Sequence, residues 1–358
     1  MSKKATCIKI PKIRGEKAIV LANKLKIIKK ELEIQRNGNF IYIPLVRKPL
    51  KSELKMLKEQ VSDSEVSAYM FHERKRCVRT FVELLEGKLP PHLLASLPRA
   101  IDFVGDIGII EIPQMLDAYK SMIGEAILET HKNVRTVLTK AGAVSGTYRL
   151  REFSVIAGES KTETIHKEHG CQFYVDLAKA YFSPRLSYEH SRVASLVKEG
   201  ETVIDLFAGV GPFAIQIAKA HENVQVYAVD VNPDAVEFLK RNVRLNRVEG
   251  KVHPILGDAK QVVEERLAEV ADRVIMNLPE KAIEFVDVAC KALKPEGGMV
   301  HFYSFVNASD SLENVKLRFI EAAEKCGRSV ENIVFSRVVR ATAPCEWQVV
   351  LDAKIHEI

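Results

Sequence analysis

The sequence predicts an α/β protein: a doubly wound, mostly parallel sheet fills the C-terminal half, and two smaller α+β regions precede it. Three observations carry this. From about residue 181 onward, apolar runs of strand length alternate with helix-length stretches at the spacing of βαβ units. One of those runs, 203–207, passes directly into a glycine-rich turn. Ahead of residue 181 the pattern changes to short strand-like runs and helices in mixed order, which suits smaller α+β domains.

The chain has 358 residues, 47% of them hydrophobic, enough for a substantial core but more than one domain usually holds, so two or three domains are expected. Met1-Ser2-Lys3-Lys4 leads into no apolar signal-like stretch, and no uninterrupted apolar run reaches membrane-spanning length, so a cytoplasmic protein with no membrane partner is expected. The six cysteines are scattered, without the close pairing of zinc sites or redox dithiols; reduced, mostly buried thiols and no metal follow. Residues 1–50 hold 13 Lys+Arg against 3 Asp+Glu, although the whole chain carries only +6. A segment at +10 suits a polyanion. It also suits a merely solvated basic face, because no aromatic stacking ladder accompanies it.

Taken in order, 6–10 reads as a strand, 15–25 as a helix, and 32–43 as a hairpin about Asn37-Gly38, a dipeptide that supplies the positive φ a tight turn needs. The polar, glycine-free stretch 49–67 reads as a helical or extended linker that ends a small domain near residue 60. Between 70 and 180 helices are expected over 78–85 and 114–129. Strands are expected over 100–111, 134–138, 147–156, 162–166 and 171–176. In the third region, 181–358, strands are expected over 202–207, 224–230, 252–256, 273–276 and 299–305, with two late ones near Val334 and Val349. Trp347 and Cys345, on the last of these, read as packing residues.

Val203-Ile204-Asp205-Leu206-Phe207-Ala208-Gly209-Val210-Gly211-Pro212-Phe213 is the strongest motif. Its glycines permit both a tight turn and close backbone approach to a ligand at the head of a helix. Asp230, about twenty residues further on and at the end of the next strand, stands where an acid accepts both ribose hydroxyls. Asp258, after the third strand, is placed to meet an adenine amino group. The loose pattern Gly209-x-Gly211-x-x-Ala214 also admits a dinucleotide, and a purely structural reading would make these ordinary turn glycines. Ile275-Met276-Asn277-Leu278-Pro279 separates the possibilities. An amide and a proline ending an apolar strand belong at a ligand-facing rim, and a carboxamide can hold the reacting edge of a purine. Alone, that Asn could simply cap the next helix. Lys294-Pro295-Glu296-Gly297-Gly298-Met299 is a helix stop with no chemistry attached.

With these motifs in place, the chain resembles the archaeal and eukaryotic tRNA (guanine-37 N1)-methyltransferases over nearly its whole length. The most specific part is Thr164-Ile165-His166-Lys167-Glu168-His169-Gly170 followed by Tyr181-Phe182-Ser183-Pro184-Arg185-Leu186-Ser187-Tyr188-Glu189. Cys7-Ile8-Lys9-Ile10-Pro11 and Tyr42-Ile43-Pro44-Leu45 are similar to that family's small first domain. The resemblance implies a Rossmann-like class I methyltransferase domain over 181–358, a basic tRNA-recognition domain over 1–60 that reads the outer corner of tRNA, and an RNA-contacting domain over 70–180. It implies S-adenosylmethionine as cofactor, tRNA as partner and a monomer. Among site residues it implies Glu189 as general base, Arg149 as the partner of the guanine oxygen, and Asn277 with Pro279 as the base pocket. Tyr181, Phe207, Asp230 and Asp258 would line the cofactor site, where Arg185, Asp205, Gly209, Gly211 and Asn277 are also expected. Leu278 and Glu280 depart from the family's Asn-Pro-Pro-Tyr variant, which speaks for simple guanosine methylation and against wyosine precursors.

Guanine N1 carries a proton, so its lone pair is not available to a methyl donor until a base removes it. A carboxylate within hydrogen-bond reach does that, a guanidinium holds the charge developing on O6, and in-line orientation supplies much of the rest. Without the resemblance, Glu189 and Arg149 would read as surface charges in a salt bridge, Arg185 as a helix-terminal cation and His166 as a satisfied strand residue. The rival activities are transfer of the aminocarboxypropyl group of the same cofactor to a wyosine precursor, RNA binding by a degenerate catalytic domain, and a nicotinamide dehydrogenase.

Overall fold

The computed structural model describes residues 2–61, 63–73, 80–142, 146, 148 and 150–357. It forms two compact units, Met1–Arg79 and Thr80–Ile358.

The first unit consists of β1 (Ser2–Pro11), α1 (Gly15–Lys24), β2 (Gln35–Asn37), β3 (Phe40–Pro44), α2 (Lys51–Gln60) and β4 (Glu65–His72). Its sheet runs β2-β3-β1-β4. Asn37 pairs with Phe40 across the expected hairpin, and Gly38 takes φ +54° in the turn. Ala18, Leu21 and Ala22 of α1 pack on Ile8, Ile10, Ile41 and Ile43. The structure corrects the reading of 49–67 as a linker. α2 buries Leu57 in this core, and β4 pairs with β1 from Ser2↔His72 to Lys9↔Glu65, so the unit continues past residue 60. The sequence hides this because α2 and β4 each bury one side chain, Leu57 and Phe71, too few to show a period.

The second unit opens with α3 (Phe81–Leu85), α4 (Pro91–Ala95), β5 (Ile101–Val104), β6 (Ile107–Ile110), α5 (Lys120–Thr130), β7 (Thr136–Lys140) and β8 (Phe153–Gly158). The strands form a sheet β5-β6-β7-β8 with α5 against it. The strand expected over 100–111 is a hairpin, broken by Gly105 at φ +55°; a Cβ there would lie 2.2 Å from Thr164 Oγ1. β9 (Glu163–Glu168) and β10 (Cys171–Asp176) then pair antiparallel.

The remaining elements are α6 (Ser187–Leu196), β11 (Thr202–Asp205), α7 (Pro212–Ala220), β12 (Gln225–Asp230), α8 (Pro233–Asn246), β13 (Val252–Leu256), α9 (Ala259–Val262), β14 (Arg273–Met276), α10 (Val286–Ala292), β15 (Gly298–Asn307), α11 (Leu312–Lys325), β16 (Arg328–Ala343) and β17 (Glu346–Glu357). Their sheet runs β13-β12-β11-β14-β15-β17-β16. It is parallel except for β17, which is antiparallel to both neighbours. Neighbouring residues point to opposite faces and both faces are covered: Ile204 and Val274 enter one core, Val203 and Ile275 the other. That is why these strands read as continuous apolar runs. β11 lies between β12 and β14, so the chain winds outward both ways from it, and a crevice opens beyond the carboxyl ends at this switch.

Two asparagines of α8 dock β10. Asn242 Oδ1 accepts from Tyr174 N–H at 2.7 Å while its Nδ2 donates to the Tyr174 and Val210 carbonyls, each at 3.0 Å. Asn246 repeats the pairing with the Gln172 N–H and carbonyl, at 2.8 and 2.6 Å. Each carboxamide stands in for a neighbouring peptide group. The reading of Trp347 and Cys345 as packing residues is corrected: both are exposed, and Cys345 sits in the β16–β17 turn with φ +61°. Among the described cysteines, Cys7, Cys171 and Cys290 are buried free thiols and Cys326 and Cys345 are exposed. Among the described residues no helix is long and apolar enough to cross a membrane.

Candidate active site

A cavity of about 320 Å³ occupies the crevice, a size suited to a small ligand. Phe207 and Gly209 reach it from the end of β11, Asp230 from β12, Asp258 from β13 and Asn277 with Pro279 from β14, while Tyr181 covers it from outside the sheet. Asp230 is fixed by its own loop. Its Oδ2 accepts from Gly209 N–H at 2.7 Å and its Oδ1 from Asn232 N–H at 2.9 Å. Burial raises its pKa. Each oxygen keeps a second lone pair for a ligand hydroxyl. One oxygen of Asp258 caps α9, accepting from the Lys260 and Gln261 N–H groups at 2.9 and 3.3 Å. Phe207 meets Phe285 edge-on at 5.0 Å and makes part of the wall apolar.

The two glycines of the motif divide the work. Gly209, at φ +55°, lies on the cavity wall, and a Cβ there would meet only the Tyr181 carbonyl, at 3.7 Å. Gly211, at φ +91°, is the residue from which α7 starts; a Cβ there would lie 2.2 Å from Leu239 Cδ1, and the residue does not reach the wall. Its absent side chain serves helix packing. Asp205 is also off the wall and fully buried. Its Oδ1 accepts from Phe207 N–H at 3.3 Å, and its Oδ2 has no partner among the described residues. Burial pushes its carboxyl up to about 7.

Asn277 belongs to a network the sequence did not reveal. Gln348 Nε2 donates to Asn277 Oδ1 at 3.2 Å, and Gln348 Oε1 accepts from Arg340 Nε at 2.9 Å. Arg340 also donates to Ser183 Oγ at 2.6 Å and to Tyr181 Oη at 3.1 Å. Gln348 heads an apolar run beside the site, a signal that was present. Arg340 had none, because β16 shifts register against β17 at several points and loses its period of two.

Glu189 stands apart from the cavity wall. It is buried on α6, with Oε2 accepting from Arg192 Nε at 3.0 Å and from the Tyr303 hydroxyl at 2.9 Å, and with Oε1 held by Arg337. Arg192 extends the network to Asp352 at 2.5 Å, and Asp352 to His301 at 2.6 Å. The structural alternative of a salt bridge was right about pairing and wrong about the surface. Arg185 donates to Asp102 Oδ1 at 2.6 Å and lines a neighbouring cavity of about 400 Å³, which shares Tyr181, Glu280, Phe305 and Arg340 with the first. Arg149 lies outside the described residues; Gly146 and Tyr148, which precede it in the chain, line the crevice. His166 is satisfied as expected, its Nδ1 accepting from Gly105 N–H at 3.1 Å.

The residues fit S-adenosylmethionine. Asp230 offers acceptors for a ribose, the two phenylalanines an apolar wall and Gly209 an open approach. The sheet and its crevice define a Rossmann-like class I methyltransferase. The TRM5/TYW2 methyltransferase domain matches residues 164–331, the TYW2 N-terminal domain 81–162, and the tRNA methyltransferase 5 N-terminal domain 7–53. The chain belongs to the tRNA (guanine(37)-N(1))-methyltransferase family, being 39% identical to Trm5b of Pyrococcus abyssi over 97% of this chain and 98% of that protein. The crystal structure of that Trm5b superposes with a TM-score of 0.78 at 38% identity, covering 98% of this chain and 99% of the other. The complex structure of aTrm5 and tRNALeu gives 0.70 at 33% identity, covering 97% of this chain and 99% of that one. The Methanocaldococcus jannaschii TYW2 complex with AdoMet gives 0.56 at 32% identity, covering 72% of this chain and all of that one.

Proposed function

We propose that this protein transfers a methyl group from S-adenosylmethionine to N1 of guanosine 37 in tRNA. The observation that carries the reading is the Asn277 carboxamide on the wall of the same crevice as Asp230, where a nucleobase and a nucleoside cofactor can meet. The cofactor, when bound, supplies an electrophilic methyl group on sulfur. Asp230 orients the ribose end, Phe207 and Phe285 exclude water around the purine, and Asn277 with Pro279 holds the target base. Glu189 takes the N1 proton as the lone pair moves to the methyl carbon, and Arg149 holds the charge on O6.

In support of Glu189, Leu186, just before α6, lines the crevice, and Arg192 and Tyr303 fix the carboxylate from behind. The third partner, Arg337, has to give way before N1 can approach. Of the partners it is the nearest to solvent, its side chain 34% exposed against 10% for Arg192, and it stacks on exposed Tyr188 at 4.4 Å. The protein acts as a monomer in this reading, and the roles given to these side chains call for no metal. The basic first unit would dock on a distant part of the tRNA and help offset the few kcal/mol needed to unstack the target base. A cytoplasmic location goes with such a substrate.

The test is mass mapping of unmodified tRNA after incubation with the protein and methyl-labelled S-adenosylmethionine. Labelled 1-methylguanosine at position 37 is expected. Label left on the nucleoside by-product, with a heavier adduct on the tRNA, would instead establish aminocarboxypropyl transfer.

A further inference from the structure

The geometry points to Arg340 and Gln348 as positioning residues that turn the Asn277 carboxamide so that the crevice accepts a 6-oxopurine and rejects a 6-aminopurine. This rests on the proposed reading that a purine enters beside Asn277.

The argument is one of donors and acceptors. A guanidinium has only donors, so the 2.9 Å contact from Arg340 Nε fixes which end of Gln348 faces it: the oxygen. Arg340 cannot easily swing away, because Ser183 and Tyr181 hold its other nitrogens. Gln348 is 1% exposed, so a flipped amide would leave two donors facing each other with no water to relieve them. Its Nε2 is therefore the group directed at Asn277, which must answer with its oxygen, at 3.2 Å. Asn277 Nδ2 is left with no partner among the described residues, on a half-buried side chain of the cavity wall. The amide thus offers donors to whatever lies in the crevice. Beside N1, guanine presents an oxygen there and adenine an amino group. The first is accepted, and the second sets donor against donor. Neither Arg340 nor Gln348 needs to touch the base, since both act through Asn277.

Gln348→Glu tests this with little change of shape. The carboxylate still accepts from Arg340 but cannot donate, so Asn277 turns its NH2 toward it and its oxygen toward the crevice. At saturating S-adenosylhomocysteine, the affinities for tRNA with guanine or adenine at position 37 are compared. Wild type is expected to favour guanine by about tenfold or more, and Gln348→Glu to bring the ratio to unity or below. Asn277→Asp, which presents an oxygen whichever way it turns, should shift the ratio in the same direction, and the double variant should add nothing. A merely structural role for Gln348 would weaken both tRNAs alike. A wild-type ratio near unity, or a folded Gln348→Glu that keeps the wild-type ratio, overturns the inference. Should Gln348→Glu not fold, an unchanged ratio in Asn277→Asp does the same. Failure of the wild type to methylate G37 tRNA is read in a separate assay and removes the functional reading itself.

Discussion

Asp205 and Asp230 end adjacent parallel strands, yet their surroundings differ in a way that can be measured. Asp230 reaches the cavity, with two backbone donors on it. Asp205 lies deeper, with one weak donor and a pKa near 7. Its folded value stands above the roughly 3.9 of an unfolded chain. The folded state therefore binds the proton more tightly, and the associated stabilisation is complete below about pH 4 and lost as pH rises through 7, by up to about 4 kcal/mol. Asp205→Asn removes that slope and leaves an unsatisfied amide donor costing about 1–3 kcal/mol. The variant should melt higher than wild type at pH 8 and lower at about pH 4, where the carboxyl is protonated in the folded state and about half protonated in the unfolded one; parallel pH profiles of the two melting temperatures would refute this. Glu189→Gln retains an acceptor for Arg192 and Tyr303 but no base, so single-turnover methylation should fall by about 10²- to 10⁴-fold with cofactor affinity kept. A fall below tenfold would remove Glu189 from the chemistry. The residue types at these positions were legible because strand ends and glycine turns are written locally. What each carboxylate touches was mostly not: Arg192 lies three residues on along the same helix, but Tyr303 and Arg337 come from distant parts of the chain.

Elements were legible in proportion to how much apolar surface they bury. β14 falls where the sequence predicts it, because its apolar run is buried throughout. α2 and β4, read as a helical or extended linker, were not recognised as parts of the first unit's core and sheet for want of burial. The docking of β10 on α8 was missed for a different reason: the groups that make it are asparagines, invisible to a search for apolar period. Asn242 and Asn246 fall at i and i+4 in register with Leu239 and Val243, and polar residues on the buried stripe of a helix signal a backbone partner. Asn242→Leu strands the Tyr174 N–H and two carbonyls away from water. Unfolding free energy from urea titration should drop by about 2–4 kcal/mol, whereas the exposed Lys240→Leu on the same helix should change it by less than about 0.5 kcal/mol. Equal effects of the two variants would mean the carboxamide pairing contributes nothing specific.

At the scale of the whole chain, charge and architecture divide unequally: residues 1–50 hold +10 of a total of +6, and they lie in a unit with its own core and sheet. Among the described residues, those lining the cofactor crevice all belong to the second unit. Such a separation predicts that the first unit acts on affinity and the second on chemistry, with the gain from linking them appearing as effective concentration. The place of the cut matters. Removing residues 1–60, as the composition alone would suggest, leaves β4 without β1 and exposes its unpaired edge, so that protein should aggregate. Removing residues 1–79 takes the unit away whole. The shortened chain should bind cofactor as wild type does and methylate at about the same rate with saturating tRNA, while its rate at limiting tRNA falls about tenfold or more, and by less as salt is raised, since the lost contacts are ionic. If the rate at limiting tRNA is unchanged at low salt, the basic unit does not meet the substrate, and its charge is only a solvated face.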